Sequence, residues 1–281
     1  MEVIRTTSAM QDWALGVKRS GRRIGFVPTM GYLHQGHMSL VRLARERSDV
    51  VVASIFVNPI QFLPNEDLAS YPRDFERDER LCREAETAVV FYPAPEEMYA
   101  PDHSVYVDEI RLSKGLCGRQ RPGHFKGVVT VVAKLFNVVL PDVAVFGQKD
   151  AQQTRVIQRL VRDLNFPVEI VVGPIVREPD GLAMSSRNRY LSASERHDAL
   201  ALHQALALAE DLHRRGSRDA RALREAMQKS LATAPAVKLE FIEIVENTTL
   251  EPVDTITGPV LVALAARVGA TRLIDNTVLG T

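Results

Sequence analysis

The chain has 281 residues, with 35 Lys+Arg against 35 Asp+Glu, so its formal net charge is zero. No basic excess is left for a dominant nucleic-acid or anionic-membrane role. A hydrophobic fraction of 46% and a charged fraction of 25% describe an ordinary soluble protein with room for one large or two modest domains.

The amino-terminal stretch holds no apolar core of the roughly 7–15 residues that a secretory signal needs. The strongest apolar run, residues 50–57, is far too short to span a bilayer. Cys82 and Cys117 make neither a CxxC nor a disulfide framework. The expectation is a reduced, cytoplasmic protein with no membrane and no nucleic-acid partner.

Residues 23–29 read as a buried strand, followed by a Gly/His-rich turn and a helical pattern over 38–47. A second strand is expected at 50–57, a helix at 75–86, a strand at 88–92 and a buried helix at 128–139. A strand at 143–146, an amphipathic helix at 151–164 and a strand at 168–172 follow. Continuous Val/Ile runs separated by helices predict a parallel sheet buried on both faces, which binds ligands at the carboxyl ends of its strands. Near residue 175 the pattern changes to two polar-faced helices, at 194–215 and 217–233, and then strands at 239–245, 260–266 and 272–275. That order suggests an α+β unit.

Several polar segments sit at strand ends. Pro28-Thr29-Met30-Gly31-Tyr32-Leu33-His34-Gln35-Gly36-His37 joins a strand to a helix. A helix N-terminus attracts phosphate through its unpaired N–H groups and dipole, and two histidines there suit phosphate oxygens or a developing negative charge. By spacing alone, a glycine turn with two polar surface histidines reads about as well. The P-loop reading fails, because His37 and Met38 stand where Lys and Ser/Thr belong. Zinc has no HExxH or Cys pair to support it.

Residues 146–153 also follow a strand, and Lys149 suits a phosphate cation with Gln153 one helical turn on; an Asp150 helix cap beside a solvated lysine is the plainer alternative. Asp180-Gly181-Leu182-Ala183-Met184-Ser185-Ser186-Arg187-Asn188 suits an anion-binding lid or a simple interdomain linker. Asn58 and Gln61 follow the second strand and fit a hydroxy-acid substrate or a turn cap. Residues 119–126 form the most basic stretch, either an anion-binding loop or a solvated one.

Taken together, PTMGYLHQGH, FVNPIQF, YPRDFERD, RPGHFKGVVTVV, FGQKDAQQ and REPDGLAMSSRNRYLS resemble the pantoate–β-alanine ligase family. The HxGH element also resembles the signature of the wider nucleotidyltransferase superfamily. Six motifs in order across residues 26–192 are very specific, whereas the last third matches by position and pattern only.

The resemblance implies a Rossmann-like α/β fold, with an ATP- and pantoate-binding catalytic domain over 1–176 and a smaller α+β C-terminal lid domain over 177–281. It implies ATP-dependent condensation of (R)-pantoate with β-alanine through a pantoyl adenylate, giving pantothenate, AMP and diphosphate, with Mg²⁺ as the accompanying ion and a homodimeric assembly.

By the same resemblance Met30, Gly31, Tyr32, Leu33, His34, Gln35, Gly36 and His37 cover the ATP, and His37 supports the transition state or donates a proton. Gly147, Gln148, Lys149 and Asp150 hold the nucleotide, with Lys149 on phosphate, and Val176 offers its backbone to adenine. Met184, Ser185, Ser186 and Arg187 close over the phosphates. His34, His37, Lys149 and Arg187 form the implied catalytic set. Gln61 and Gln153 bind pantoate, Gln61 also meets β-alanine, Asn58 and Tyr71 line that pocket, and Arg121 is a substrate-site residue. Asp78 is implied either as a residue supporting the site from behind or as a magnesium contact. Gln148 departs from a frequent family Glu, and Asp74-Phe75 from a Thr-containing pair, which weakens the metal assignment.

Three other readings compete. Nucleotidyl transfer to a phosphorylated acceptor would want cations where this chain has Asn58 and Gln61. A nucleotide sensor without chemistry fits poorly with intact His34, His37, Lys149 and Arg187. A tRNA-charging enzyme would want a basic face, whereas the last third carries acidic strand sequence (LEFIEIVE).

Overall fold

The Val/Ile runs become strands, and most of their side chains are shut off from solvent. Phe26, Val27, Val52, Val90 and Val145 are fully inaccessible; burying each such side chain is worth about 1.5–3 kcal/mol. The computed structural model describes residues 1–280. The elements of its first part run β1 (Glu2–Ile4), α1 (Thr7–Arg19), β2 (Ile24–Thr29), α2 (Gln35–Arg45), β3 (Val50–Ile55), α3 (Phe75–Glu84), β4 (Val89–Phe91), α4 (Pro95–Met98), α5 (Leu116–Gln120), α6 (His124–Val139), β5 (Val143–Gly147), α7 (Ala151–Asp163) and β6 (Glu169–Gly173). The second part holds α8 (Ala193–Arg214), α9 (Ala220–Leu231), β7 (Val237–Glu246), β8 (Val260–Val268) and β9 (Thr271–Leu279).

The chain divides into two compact units. One comprises Met1–Ser113, Gly118–Gln148 and Gln153–Pro174. The other gathers Lys114–Cys117, Lys149–Gln152 and the chain from Ile175 onward. The second unit therefore includes two short segments that a single cut at residue 176 leaves in the first.

In the first unit six strands pair in the order β1-β4-β3-β2-β5-β6, every pair parallel. The chain moves one way from β2 to β3 and returns for β5 on the other side of β2. Strand order thus reverses between β2 and β5, which is where open α/β sheets bind ligands. β2 and β3 run in register from Ile24 opposite Val50 to Thr29 opposite Ile55, so their carboxyl ends finish level.

Helix α6 starts four residues before the expected 128, because His124 and Gly127 do not register in an apolar period yet extend the helix. The expectations omitted α1 and β1. Helix α1 buries only Met10 and Ala14, too narrow a stripe to stand out, and is capped by Thr6.

The second unit is a three-stranded antiparallel sheet, β7-β8-β9, packed by α8 and α9. Leu202, Leu206, Leu223, Met227, Ile244, Val262 and Leu264 fill its core. A reciprocal Ser192–Glu195 box starts α8. Strand β9 is longer than the expected 272–275: it pairs with β8 from Thr271 opposite Val268 to Leu279 opposite Val260. The expectation stops before Asn276, a buried polar residue that breaks the apolar pattern.

Candidate active site

The turn leaving β2 is held from both sides. Gly31 has φ +83 and Tyr32 φ +52, left-handed backbone that costs a tyrosine energy unless its surroundings fix it. A Cβ on Gly31 would lie 3.0 Å from Ile55 Cγ2 and 3.1 Å from Asp78 Oδ2. The Gly31 N–H donates to Thr29 Oγ1, whose hydroxyl donates to Ser54 O. Asp78, on α3 and 1% exposed, receives the N–H groups of Tyr32 at 2.6 Å and Leu33 at 2.7 Å, one on each carboxylate oxygen. Burial pushes the Asp78 carboxyl up, against the pull of those two donors. The Arg77 guanidinium lies 5.1 Å over the Tyr32 ring. Both carboxylate oxygens of Asp78 thus serve the turn, and the side chain braces it from behind. Among the described residues no three His, Cys, Asp or Glu come together as a metal cage.

Helix α2 then opens on the two histidines. His34 is the N-cap, with φ −141 and ψ 176, and its Nδ1 accepts the Gly36 N–H at 3.1 Å. His37 Nδ1 in turn accepts the His34 N–H at 3.2 Å. Two imidazoles thus build a reciprocal cap of the kind usually made by Ser and Glu. The rings lie 4.1 Å apart, centroid to centroid. An accepting Nδ1 assigns the proton of each neutral ring to Nε2, so each ring is a donor at its outer nitrogen. The histidines are part of the helix start and, at the same time, N–H donors suited to anionic oxygens.

After β3, residues Pro59–Gln61 form a single 3-10 turn. Asn58, 1% exposed, donates from Nδ2 to Gln61 Oε1 (3.0 Å) and Gly127 O (3.1 Å), and its Oδ1 accepts the Tyr99 hydroxyl at 2.8 Å. Burial raises the Tyr99 phenol well above its usual value, keeping it a donor. Asn58 therefore orients Gln61. Gln61 Nε2 reaches Met30 Sδ at 3.1 Å, which brings the two expected substrate- and nucleotide-facing segments together.

Arg121 is held by a carboxylate and a histidine. It forms a two-pronged pair with Glu66 at 2.5 and 2.6 Å, and its other nitrogen meets His124 Nε2 at 2.9 Å. An arginine can only donate, so His124 Nε2 accepts and its Nδ1–H donates to Gln61 O at 2.8 Å. Burial would raise the Glu66 carboxyl, but the Arg121 hydrogen bonds and charge outweigh it and hold it low. A Cβ on Gly127 would fall 2.5 Å from Ile60 O and 2.6 Å from Gln61 Cα. The first turn of α6 thus seats Gln61 through Gly127 and His124. Tyr71 is buried, edge-on to Phe62.

Gly147 ends β5, and Gln148 Oε1 accepts from Arg155 Nη1 at 2.8 Å. Gln153 is half-buried in the first turn of α7. The first unit therefore gathers Met30, His34, His37 and Gln61 beyond the ends of β2 and β3, with Gln148 and Gln153 beyond β5.

The second unit holds the remaining candidates. Lys149 and Asp150 lie half-buried in a 3-10 turn, with Lys149 O accepting from Asn276 Nδ2 at 3.0 Å. Residues 176–184 double back on themselves: the Met184 N–H donates to Val176 O, the Glu178 N–H to Leu182 O, and Gly181 turns at φ +98. Ser185 caps a 3-10 helix over Ser186–Tyr190 by accepting the Arg187 N–H. Asn188 donates to Glu178 and to Ala183 O, while Arg196 pairs with Glu178 and Asp180. This is a built loop and not a slack linker.

The sequence reading passed over Glu66, His124, Gly127 and Asn276 as individual site residues. The motif RPGHFKGVVTVV contains His124 and Gly127, but their partners lie more than sixty positions earlier.

Known proteins match along the whole length. The model of a family described as pantoate–beta-alanine ligase matches residues 2–278. The pantothenate synthetase of Thermotoga petrophila is 59% identical over 280 residues, covering all of both chains. That of Moorella thermoacetica is 54% identical over 279 residues, 99% of each. The crystal structure of pantothenate synthetase from Thermus thermophilus superposes with a TM-score of 0.93 at 44% identity and 99% coverage of both chains. The pantoate–beta-alanine ligase of Francisella tularensis, solved with beta-gamma ATP and beta-alanine, gives 0.81 at 31% identity, covering 99% of this chain and 97% of that one.

Proposed function

Because the chain belongs to the pantoate–β-alanine ligase family, we propose that its HxGH turn and the Gln61 turn are the adenylating centre of that ligase. The protein is an ATP-dependent ligase that makes pantothenate from pantoate and β-alanine.

A carboxylate is a poor acyl donor. In the first step a pantoate carboxylate oxygen attacks the α-phosphorus of ATP, forming the acyl–phosphate bond as diphosphate leaves. In the second step the amine of β-alanine, having lost a proton, attacks the acyl carbon, and AMP leaves with the C–O bonding electrons. Charge gathers on phosphate oxygens in the first step, so preorganised N–H donors are the effective catalysts.

His34 and His37 supply such donors from Nε2 and sit where the α2 N-terminus adds its positive end. Since their Nδ1 atoms cap the helix, they act as neutral hydrogen-bond donors. A doubly protonated ring would lose its cap. Gln61 and Gln153 hold pantoate and Gln61 also receives β-alanine, with Tyr71 walling the pocket. Gly147, Gln148, Asp150 and Val176 contact the nucleotide, while Lys149, Met184, Ser185, Ser186 and Arg187 serve its phosphates.

Magnesium enters as the complex of the substrate nucleotide, consistent with an ion that keeps phosphate and water ligands. The competing transfer to a phosphorylated acceptor would want cations where the site presents the neutral pair Asn58 and Gln61. We place the protein in the cytoplasm, in keeping with its two free thiols; no helix among the described residues is long and apolar enough to cross a membrane. We also propose a homodimer, supported by Val105 and Ile110, 78% and 67% exposed within one short segment; light scattering would return the monomer mass if this is wrong.

The observation that carries the reading is the double-histidine cap placed beside the strand-order reversal. Its test is exchange of labelled diphosphate into ATP with pantoate and no β-alanine. Pantoate-dependent exchange is expected. No exchange, and no AMP or pantothenate after β-alanine is added, would remove the reading.

A further inference from the structure

Strand β9 carries Asp275 and Asn276 side by side, each 3% exposed. Successive residues of a strand point to opposite faces, so two adjacent buried polar groups need separate partners. Asp275 takes both prongs of Arg177, at 2.6 and 3.1 Å, and Arg177 Nη1 also donates to Gly181 O at 3.2 Å. Asn276 donates from Nδ2 to the main-chain oxygen of Lys149 at 3.0 Å, and its own N–H goes to Asp275 Oδ1. The other end of the short Lys149–Gln152 segment is fixed independently. Gln152 accepts the Cys117 N–H and donates to Gly115 O, both at 2.9 Å.

Asp275 is buried and its partner Arg177 half-buried, and such a pair adds little to stability over apolar residues of equal volume. What Asp275 and Asn276 do together is tie two segments to β9. One is the doubled-back loop that leads into Met184, Ser185, Ser186 and Arg187. The other is the turn bearing Lys149. Both are gripped by neighbouring residues of one rigid strand.

We propose that Arg177, Asp275 and Asn276 form a brace that sets the Lys149 main chain against the loop at Gly181, which makes Asn276 a positioning residue for Lys149. The proposal rests on the reading of Lys149 as a phosphate contact. Asn276 touches no reacting atom in it. It acts by fixing where the lysine side chain departs from the backbone, and an error of about 1 Å at such a point can cost on the order of 100-fold in rate.

The test is a double-mutant cycle on the rate of pantoate-dependent diphosphate exchange at saturating ATP and pantoate. The four proteins are the wild type, Asn276→Ala, Lys149→Ala and the double variant. Asn276→Ala should lower the rate about 10- to 100-fold, with the pantoate KM unchanged. On the Lys149→Ala background the same substitution should change the rate less than about twofold, since residues acting through one another are not additive. Equal fold-losses on both backgrounds would mean a merely structural Asn276 and would overturn the brace. If Lys149→Ala exchanges as fast as wild type, the lysine reading fails first and takes the brace with it. Should Asn276→Ala not fold, Asn276→Asp keeps the volume, sets an acceptor against the Lys149 carbonyl, and is read through the same cycle.

Discussion

At the residue scale each imidazole of the histidine turn spends its Nδ1 on the helix cap, and the proposed reading gives its Nε2–H to phosphate. Asparagine can place an oxygen near the imidazole Nδ1 position but offers nothing at Nε2. His37→Asn should therefore keep the α2 cap, leave the melting temperature within a few degrees, and slow adenylation on the order of 100- to 1000-fold. His37→Ala should show the same slowing plus loss of a cap worth about 1 kcal/mol. Thermal melts and single-turnover adenylation separate the two effects. Equal stability of both variants would mean that the reciprocal cap contributes nothing.

The polar residues at strand ends were legible in the sequence because strand ends are where chemistry sits in such sheets. His34, His37 and Gln61 were identified on that ground. Asp78, Glu66 and Asn276 act on backbone or charge 46, 55 and 127 positions away, and no local pattern encodes such a pairing. The carboxylate that holds Arg121 is equally remote in sequence.

At the element scale the first turn of α6 carries the argument. Its residues look like a loop to an apolar scan, so the helix was expected at 128, yet the turn added by the structure seats Gln61. Gly127→Ala would drive a methyl group into Ile60 O and Gln61 Cα. Backbone cannot yield as a side-chain tip can. The pantoate KM should rise at least about 10-fold, as expected for a misplacement near 1 Å, while the ATP KM stays put; initial rates against each substrate check it. An unchanged pantoate KM would remove Gln61 from that pocket.

The neighbouring Glu66–Arg121 pair gives a pH signature. Its carboxyl is held low in the folded protein, so its contribution is complete above the ordinary glutamate range and is lost as the pH falls through the lowered value. Melts of wild type and Glu66→Gln across pH 3–7 should converge at the acid end. A gap that stays constant would show that the pair contributes nothing through ionisation. The same limit of apolar scanning ends β9 at residue 275, because Asn276 breaks its apolar pattern while its partner lies elsewhere.

At the scale of the whole molecule the alternation of Val/Ile runs with helices was enough to give a parallel sheet, and the later change of pattern a separate α+β unit. Strand order was not legible. It depends on which strands pair, and only the order β1-β4-β3-β2-β5-β6 puts the reversal beside the histidine turn. The six motifs named the family from local sequence, while the sheet supplies the physical reason for their placement. Motifs after β2, β3 and β5 belong together because those three strands are neighbours with carboxyl ends on one side.

The central claim is that the pantoate carboxylate attacks the α-phosphorus and that β-alanine then cleaves the acyl C–O bond. Pantoate labelled with ¹⁸O in its carboxylate tests this directly. After a full turnover with ATP and β-alanine, the account predicts one labelled oxygen in the AMP and none in the diphosphate. Label-free AMP, or label appearing in inorganic phosphate alongside ADP, would contradict it.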